Sequence, residues 1–88
     1  MNIQAVETSI TTSETTIVTT DGDSSSLAIY NTGSVTVYLG GSGVSSAQGF
    51  PLLIGSTIII SIPSNTTVYG ITASGTGTLR ILATGGIL

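Results

Sequence analysis

The chain of 88 residues contains no cysteine, no histidine and no lysine. These three side chains are common bases, nucleophiles or metal ligands near neutral pH. A serine or threonine nucleophile would have only the N-terminal amine or a carboxylate as its base. We therefore interpret the protein as non-enzymatic, without a cofactor or a metal site. Its function must then come from surfaces that bind other molecules.

Charge is also scarce, with Glu7, Glu14, Asp21 and Asp23 set against Arg80 alone. Nucleic-acid binding needs several basic side chains to neutralise phosphates, so we expect no nucleic-acid partner. Charged residues make up 6 % of the chain, whereas ordinary soluble domains carry about 25 %. Such a surface lacks the charges that keep strand edges of different molecules apart. We expect much of it to be covered in the working state.

Targeting and membrane signals are missing as well. Residues 1–10 have neither the basic segment nor the apolar segment of a secretory signal, which predicts a protein made without a signal peptide. The longest apolar stretch, residues 50–62, is interrupted by Pro51 and Gly55. It is also shorter than the roughly 20 residues of a membrane-spanning helix. We expect no membrane partner.

The chain does contain short runs in which apolar and polar residues alternate, and no run has the period of a helix. Six or seven such runs are separated by glycine, asparagine or aspartate turns at a spacing of about 8–12 residues. This pattern predicts an all-β fold, a small antiparallel β-sandwich or barrel. The length allows one domain. Within it we predict an N-terminal strand or arm over residues 1–23 and a β-sandwich over residues 24–88.

The clearest runs, residues 26–31 and 35–39, predict a hairpin closed by the turn between them. Its core face would consist of Leu27, Ile29, Val35, Val37 and Leu39. The run 56–62 has apolar residues on both faces, with Ile59 opposite Ile58, Ile60 and Ile62. That arrangement suggests a strand between two layers or at a subunit contact. In the last run, Leu79 and Ile81 should face inward and Arg80 outward.

Two glycine-containing segments resemble ligand loops but do not match them. Residues 21–25 predict a turn because Asp-Gly is a strong turn signal. A calcium loop of the EF-hand type would need glycine and glutamate where this chain has Ser26 and Thr32. Residues 40–49 are glycine-rich, but no helix pattern follows them and no lysine is present to bind phosphate. We predict a surface loop there.

The apolar segment 50–54 has two interpretations. It could close one end of the core, in which case Phe50→Ala would cost about 3–5 kcal/mol and unfold so small a protein; we favour this interpretation narrowly. It could instead contact a partner, because Phe50 is the only phenylalanine and aromatic side chains are enriched at interfaces. The candidate partner contacts are Phe50, Leu52, Leu53, Ile54, Tyr38 and Tyr69.

From Asn31 onward the chain resembles small virion proteins of tailed bacteriophages. The resemblance lies in the ordered series NTGSVTVYLGGSGVSSAQGFPLLIGSTIIISI, VYGITASGTG and TLRIL, which covers roughly two thirds of the chain. It implies a structural protein of the phage particle, made in the host cytoplasm. The expected function is that of a capsid decoration (cement) protein that binds and stabilises the head, or of a small head or tail accessory. The expected partner is the major capsid protein or another virion protein.

Self-association is expected on two grounds. The chain lies just above the roughly 70–80 residues below which a core rarely supplies more than about 3–5 kcal/mol without disulfides or metals, so burial against other copies would stabilise it. The resemblance implies a homo-oligomer, with a trimer as the first expectation. An alternative function is a carbohydrate- or host-binding β module on the head or tail. In that case exposed Tyr30, Tyr38 or Tyr69 would stack on sugar rings.

Overall fold

The computed structural model describes residues 2–87, and this part of the chain forms seven β-strands without a helix. The predicted all-β class is confirmed. The strands are β1 (Asn2–Ile10), β2 (Thr15–Asn31), β3 (Val37–Gly40), β4 (Phe50–Leu52), β5 (Thr57–Ile62), β6 (Thr67–Thr72) and β7 (Gly77–Ile87).

The strands form two antiparallel layers that share β2. Sheet A has the order β1-β7-β2-β5, and sheet B has the order β2-β6-β3-β4. The first half of β2 pairs with β6 in sheet B, and its second half lies between β7 and β5 in sheet A. Strands β1 and β5 are therefore the edges of sheet A. Strand β4 and the first half of β2 are the edges of sheet B.

The core lies between the two sheets and is built from every second residue of each strand, because side chains alternate across a strand. Sheet A contributes Leu27, Ile29, Leu79 and Ile81, and sheet B contributes Val37, Leu39, Leu52 and Val68. The predicted core face is confirmed except at Val35, which is only half-buried because it precedes β3. Ile58 and Ile60 are partly buried and pack against this cluster.

The prediction of a chain reversal at residues 21–25 is wrong. These residues continue β2, and the pairing register shifts between Thr20 and Ser25 as the strand passes from sheet B to sheet A. The Asp21 carboxylate accepts a hydrogen bond from the Asp23 amide at 2.9 Å within the continuing strand. The division predicted at residue 23 thus falls inside a continuous strand, and β1 pairs with β7 along its length.

The predicted hairpin of residues 26–31 with 35–39 is also wrong. The second half of β2 pairs with β5 and β7, whereas β3 pairs with β4 and β6. The turn after Asn31 therefore carries the chain from sheet A to sheet B. The alternation of apolar and polar residues predicted the inward faces correctly, because it depends on which side chains are buried. It does not indicate which strands pair with one another.

The turn after β2 is held by the side chain of Asn31, which is fully buried. Its amide nitrogen donates to the carbonyl oxygens of Val35 and Leu52, both at 2.9 Å. Its amide oxygen accepts a hydrogen bond from the Gly33 backbone at 3.0 Å. One side chain thereby connects the end of β2, the following turn and β4.

The predicted surface loop of residues 40–49 is confirmed except at Gly40, which ends β3, because residues 41–49 contain neither strand nor helix. The Glu14 carboxylate accepts a hydrogen bond from the Gly43 amide, which ties this loop to the connection between β1 and β2. At its other end, a Cβ on Gly49 would lie 2.6 Å from the Tyr38 Cβ. Only glycine fits that approach without displacing the strand.

Candidate interaction surface

An apolar row crosses the outer face of sheet A from one edge to the other. Ala5 of β1 lies opposite Leu82 of β7, Leu82 lies opposite Ala28 of β2, and Ala28 lies opposite Ile59 of β5. The strands place these four side chains in line because each pairing register joins residues of the same face. The core lies on the other face, so the row points away from it.

This row is open to solvent in the described chain. Ile59 is 79 % exposed and Leu82 is 49 % exposed, while Ile3, in the adjacent row, is 73 % exposed. The face contains a hollow of about 510 Å³ whose lining includes Ala5, Ala28, Tyr30 and Leu82 together with the charged Glu7 and Arg80. Single exposed apolar side chains are ordinary on protein surfaces, whereas a contiguous apolar face marks an interaction site.

Charge enters this face at one place only among the described residues. Arg80 Nε donates to Glu7 Oε2 at 3.0 Å, and the two residues lie opposite one another on β7 and β1. Both side chains are more than half exposed, so the pair contributes little to stability. Because the two charges cancel, the outer face of sheet A has no net charge.

A second apolar surface lies on the side of the sandwich where β4 and β5 are the edge strands. It is a groove of about 460 Å³ whose apolar lining includes Leu39, Phe50, Ile58, Ile60 and Val68. Phe50 shares the inner face of sheet B with Leu39 and Leu52. It lies at the sheet edge, however, and is 59 % exposed. We call this surface the Phe50 groove.

The structure separates the six predicted partner contacts into four places. Leu52 is a core residue with 3 % exposure, so it is not presented to a partner. Phe50 lines the Phe50 groove, and Leu53 and Ile54 are exposed on the connection from β4 to β5. The favoured interpretation of segment 50–54 as a cap of the core is therefore right for Leu52 and wrong for Phe50.

The two tyrosines among these candidates lie on the outer face of sheet B. Tyr38 is opposite Ile71, and Tyr69 is two residues before Ile71 on the same strand, so the tyrosines are diagonal neighbours. Both are half-buried. Tyr30 lies on the outer face of sheet A and is therefore separate from them. The structure thus brings two of the three tyrosines together.

The sequence alone does not predict the apolar row on sheet A. Its one signal for the row is Ile59, which lies opposite the other isoleucines of its run. Ala5, Ala28 and Leu82 come from three separate runs, and only the strand order and register place them beside Ile59.

The described residues also bear on metal and membrane binding. Within residues 2–87, no three aspartate, glutamate, histidine or cysteine side chains come close enough together to bind a metal ion. The same part of the chain contains no helix of the length and apolar character needed to cross a membrane.

No protein-family model matches the chain, and no curated protein matches it. The exposed surfaces of sheets A and B are therefore the observations from which a function can be argued.

Replacement of Phe50 by alanine should lower the free energy of unfolding by only about 1 kcal/mol or less, because its ring is largely in solvent. Leu52→Ala is the matched control, since Leu52 lies two residues along the same strand and face but is buried. That change should cost about 2–5 kcal/mol. Urea unfolding of both variants measures the difference. Equal losses for the two would mean that Phe50 is a core residue after all.

Proposed function

We propose that the protein is a non-enzymatic structural component of a bacteriophage particle, a capsid decoration protein that binds the head through the outer face of sheet A. The observation that carries the attachment surface is the apolar row Ala5, Leu82, Ala28 and Ile59, which crosses a whole sheet and is left open. The phage assignment rests on the ordered residue series that begins at Asn31.

Burial of this face is the proposed mechanism of attachment. Removal of apolar surface from water contributes about 25 cal/mol per Å² before the costs of association are subtracted, and the row itself contains no charged residue. The uncharged Ser26, Thr57 and Ser61 border the row on β2 and β5. Their hydroxyl groups can exchange water for backbone groups of a partner at little cost when the face is covered. The proposed partner is the major capsid protein or another virion protein.

Leu82→Lys tests this proposal. A lysine at the centre of the row would have to be desolvated on attachment, so we expect binding to empty heads of the parent phage to be lost. Thr12→Lys is the matched control, because Thr12 is exposed in the connection between β1 and β2, away from the face. Co-sedimentation with heads measures binding, and thermal unfolding confirms that both variants fold. Binding retained by Leu82→Lys would show that this face is not the attachment surface.

A carbohydrate- or host-binding role is the second candidate, and the neighbouring Tyr38 and Tyr69 on sheet B favour it. Two adjacent aromatic side chains on one face can stack on sugar rings. This function predicts that Tyr38→Ala abolishes adhesion of the protein to host cells, while Tyr30→Ala, on the other sheet, does not. Loss of adhesion with unchanged head binding would favour the second function over decoration.

A further inference from the structure

We propose that two copies of the chain associate through β5, pairing antiparallel about a two-fold axis at Ile59 so that sheet A continues from one copy into the other. The proposal concerns the chain in solution and does not rest on its location in a phage. It begins from the edges of the two sheets, which differ in how well they are protected.

Natural proteins protect strand edges with charges, prolines, bulges or short length. Three of the four edges here carry such a feature. Strand β1 contains Glu7, β4 is three residues long and contains Pro51, and the first half of β2 has a register shift between Thr16 and Val18. Strand β5, with the sequence TIIISI, has neither a charge nor a proline, and its pairing with β2 is regular. Of the four strand edges, β5 therefore has the fewest features that would prevent pairing with another strand.

The hydrogen bonds around Asn31 show which backbone groups of β5 point outward. The backbone N–H of Asn31 donates to the Ser56 carbonyl, and the Asn31 carbonyl accepts from the Gly55 N–H, both on the β5 side. The backbone N–H of Thr32 donates to the Thr78 carbonyl on the β7 side. The backbone N–H and C=O groups of the odd-numbered residues in this half of β2 therefore point toward β5. The backbone groups of their register partners Ile58, Ile60 and Ile62 point back toward β2. The backbone N–H and C=O groups of Thr57, Ile59 and Ser61 are thus directed to the free edge.

These outward groups fit a second β5 in the register centred on Ile59. If Ile59 lies opposite Ile59 of the other copy, Thr57 lies opposite Ser61 at both ends, and every outward donor meets an acceptor. The next register, centred on Ile60, would place Thr57 opposite Pro63, which has no N–H to donate. The register centred on Ile59 also puts Ile58 beside Ile60 of the other copy on the inner face. All of these contacts follow from the two-fold symmetry of one short strand.

The residues around β5 add apolar surface that a pair of copies could bury, and none of them is charged. A stable interface buries about 800 Å² per partner, which is more than a six-residue strand provides. The Phe50 groove adjoins β5, and exposed Leu53 and Ile54 lie on the connection leading into it. None of the charged residues of the described chain lies on β4, β5 or their connection. No like charges therefore oppose the approach of a second copy.

The pair has a consequence for the outer face of sheet A. The row Ala5, Leu82, Ala28 and Ile59 would continue directly into the same row of the second copy, in reverse order. The two copies would then present one uninterrupted apolar row. A two-fold pair therefore replaces the trimer as the unit that we expect in solution.

A single introduced cysteine tests the register, because the chain has no cysteine of its own. Opposed residues of a hydrogen-bonded antiparallel pair have Cα atoms about 5.5 Å apart, within the disulfide range of about 4.4–6.8 Å. Oxidised Ile59→Cys should therefore run at twice the 8.8 kDa of one chain. Ala28→Cys is the matched control, since three strand spacings place its two copies about 14 Å apart. Equal and low yields for both variants would overturn the proposal.

Two lysine variants distinguish edge pairing from stacking of the apolar faces. Ile59→Lys sets like charges opposite one another on the axis, so sedimentation at micromolar concentration should shift from a pair to a monomer. Leu82→Lys adds the same charge to the same face away from the edge, and the pair should persist. Dissociation by Leu82→Lys, or a parent chain that is already monomeric, would overturn the pairing through β5. Persistence of the pair in Leu82→Lys with loss of head binding would leave both proposals standing.

Discussion

Asn31→Ala is expected to lower the free energy of unfolding by about 3–5 kcal/mol, since a buried group that loses its hydrogen-bond partner costs about 1–3 kcal/mol. The change removes two bonds donated to Val35 and Leu52 and one accepted from Gly33. The carbonyl of Leu52 is the most affected, because its bond to Asn31 is buried. The total free energy of unfolding of a domain of this kind is about 5–15 kcal/mol. The side-chain amide of Asn31 therefore accounts for a large share of the stability.

Urea unfolding followed by circular dichroism measures this loss, with Gln48→Ala as the control. Gln48 also loses an amide, but it is exposed in the loop 41–49, so its replacement should change stability by about 0.5 kcal/mol or less. Asn31→Asp gives a second comparison. It retains the shape of the side chain but points carboxylate oxygens at two carbonyl oxygens, and should destabilise at least as much as alanine. An Asn31→Ala midpoint equal to that of Gln48→Ala would contradict the assigned role.

Gly85→Ala is the second change with a large expected effect. Gly85 has a φ of +95°, and a Cβ there would lie 2.6 Å from the backbone oxygen of Ser24. The left-handed conformation alone costs a non-glycine residue about 1–2 kcal/mol, and the contact with rigid backbone adds about 1–3 kcal/mol. Gly85 pairs with Ser25, where β2 resumes its pairing with β7 after the register shift. The strain therefore falls on the link between the two sheets.

Gly22→Ala is the matched control for Gly85→Ala, because Gly22 lies in the irregular part of β2, three residues before the Ser25 that pairs with Gly85 of β7. A Cβ on Gly22 would meet nothing within 4 Å, and its φ is not positive. The control should leave stability unchanged or raise it slightly by restricting the unfolded chain. Thermal unfolding of the two variants under the same conditions makes the comparison. Equal melting temperatures would show that the β2 segment moves freely enough to accept a side chain at residue 85.

The two proposed surfaces have separate tests because they depend on different atoms. Pairing through β5 uses backbone groups at the edge of sheet A, whereas attachment to a head uses side chains on its outer face. Leu82 belongs to the second surface only, and Ile59 belongs to both. A variant at Leu82 therefore tests attachment without disturbing the pair.

The sequence by itself determined the fold class, most of the inward faces and the low charge of this protein. Alternation of apolar and polar residues predicted the all-β class and most of the inward faces, among them Leu27, Ile29, Leu79 and Ile81. These predictions succeeded because the period of a strand is local, and burial of one face follows directly from it. The scarcity of charged residues likewise predicted an unusually neutral surface, because this property depends on composition and not on which strands pair.

The tertiary structure alone decided which strands became neighbours and which apolar side chains remained outside. The Asp-Gly pair at residues 21 and 22 looked like a reversal, but the pairing of both halves of β2 kept it inside one strand. Phe50 alternates inward like Leu52, yet the edge position of β4 leaves its ring in solvent. The row of Ala5, Leu82, Ala28 and Ile59 joins four distant parts of the chain. Its members become adjacent only through long-range hydrogen-bond registers, which local periodicity does not encode.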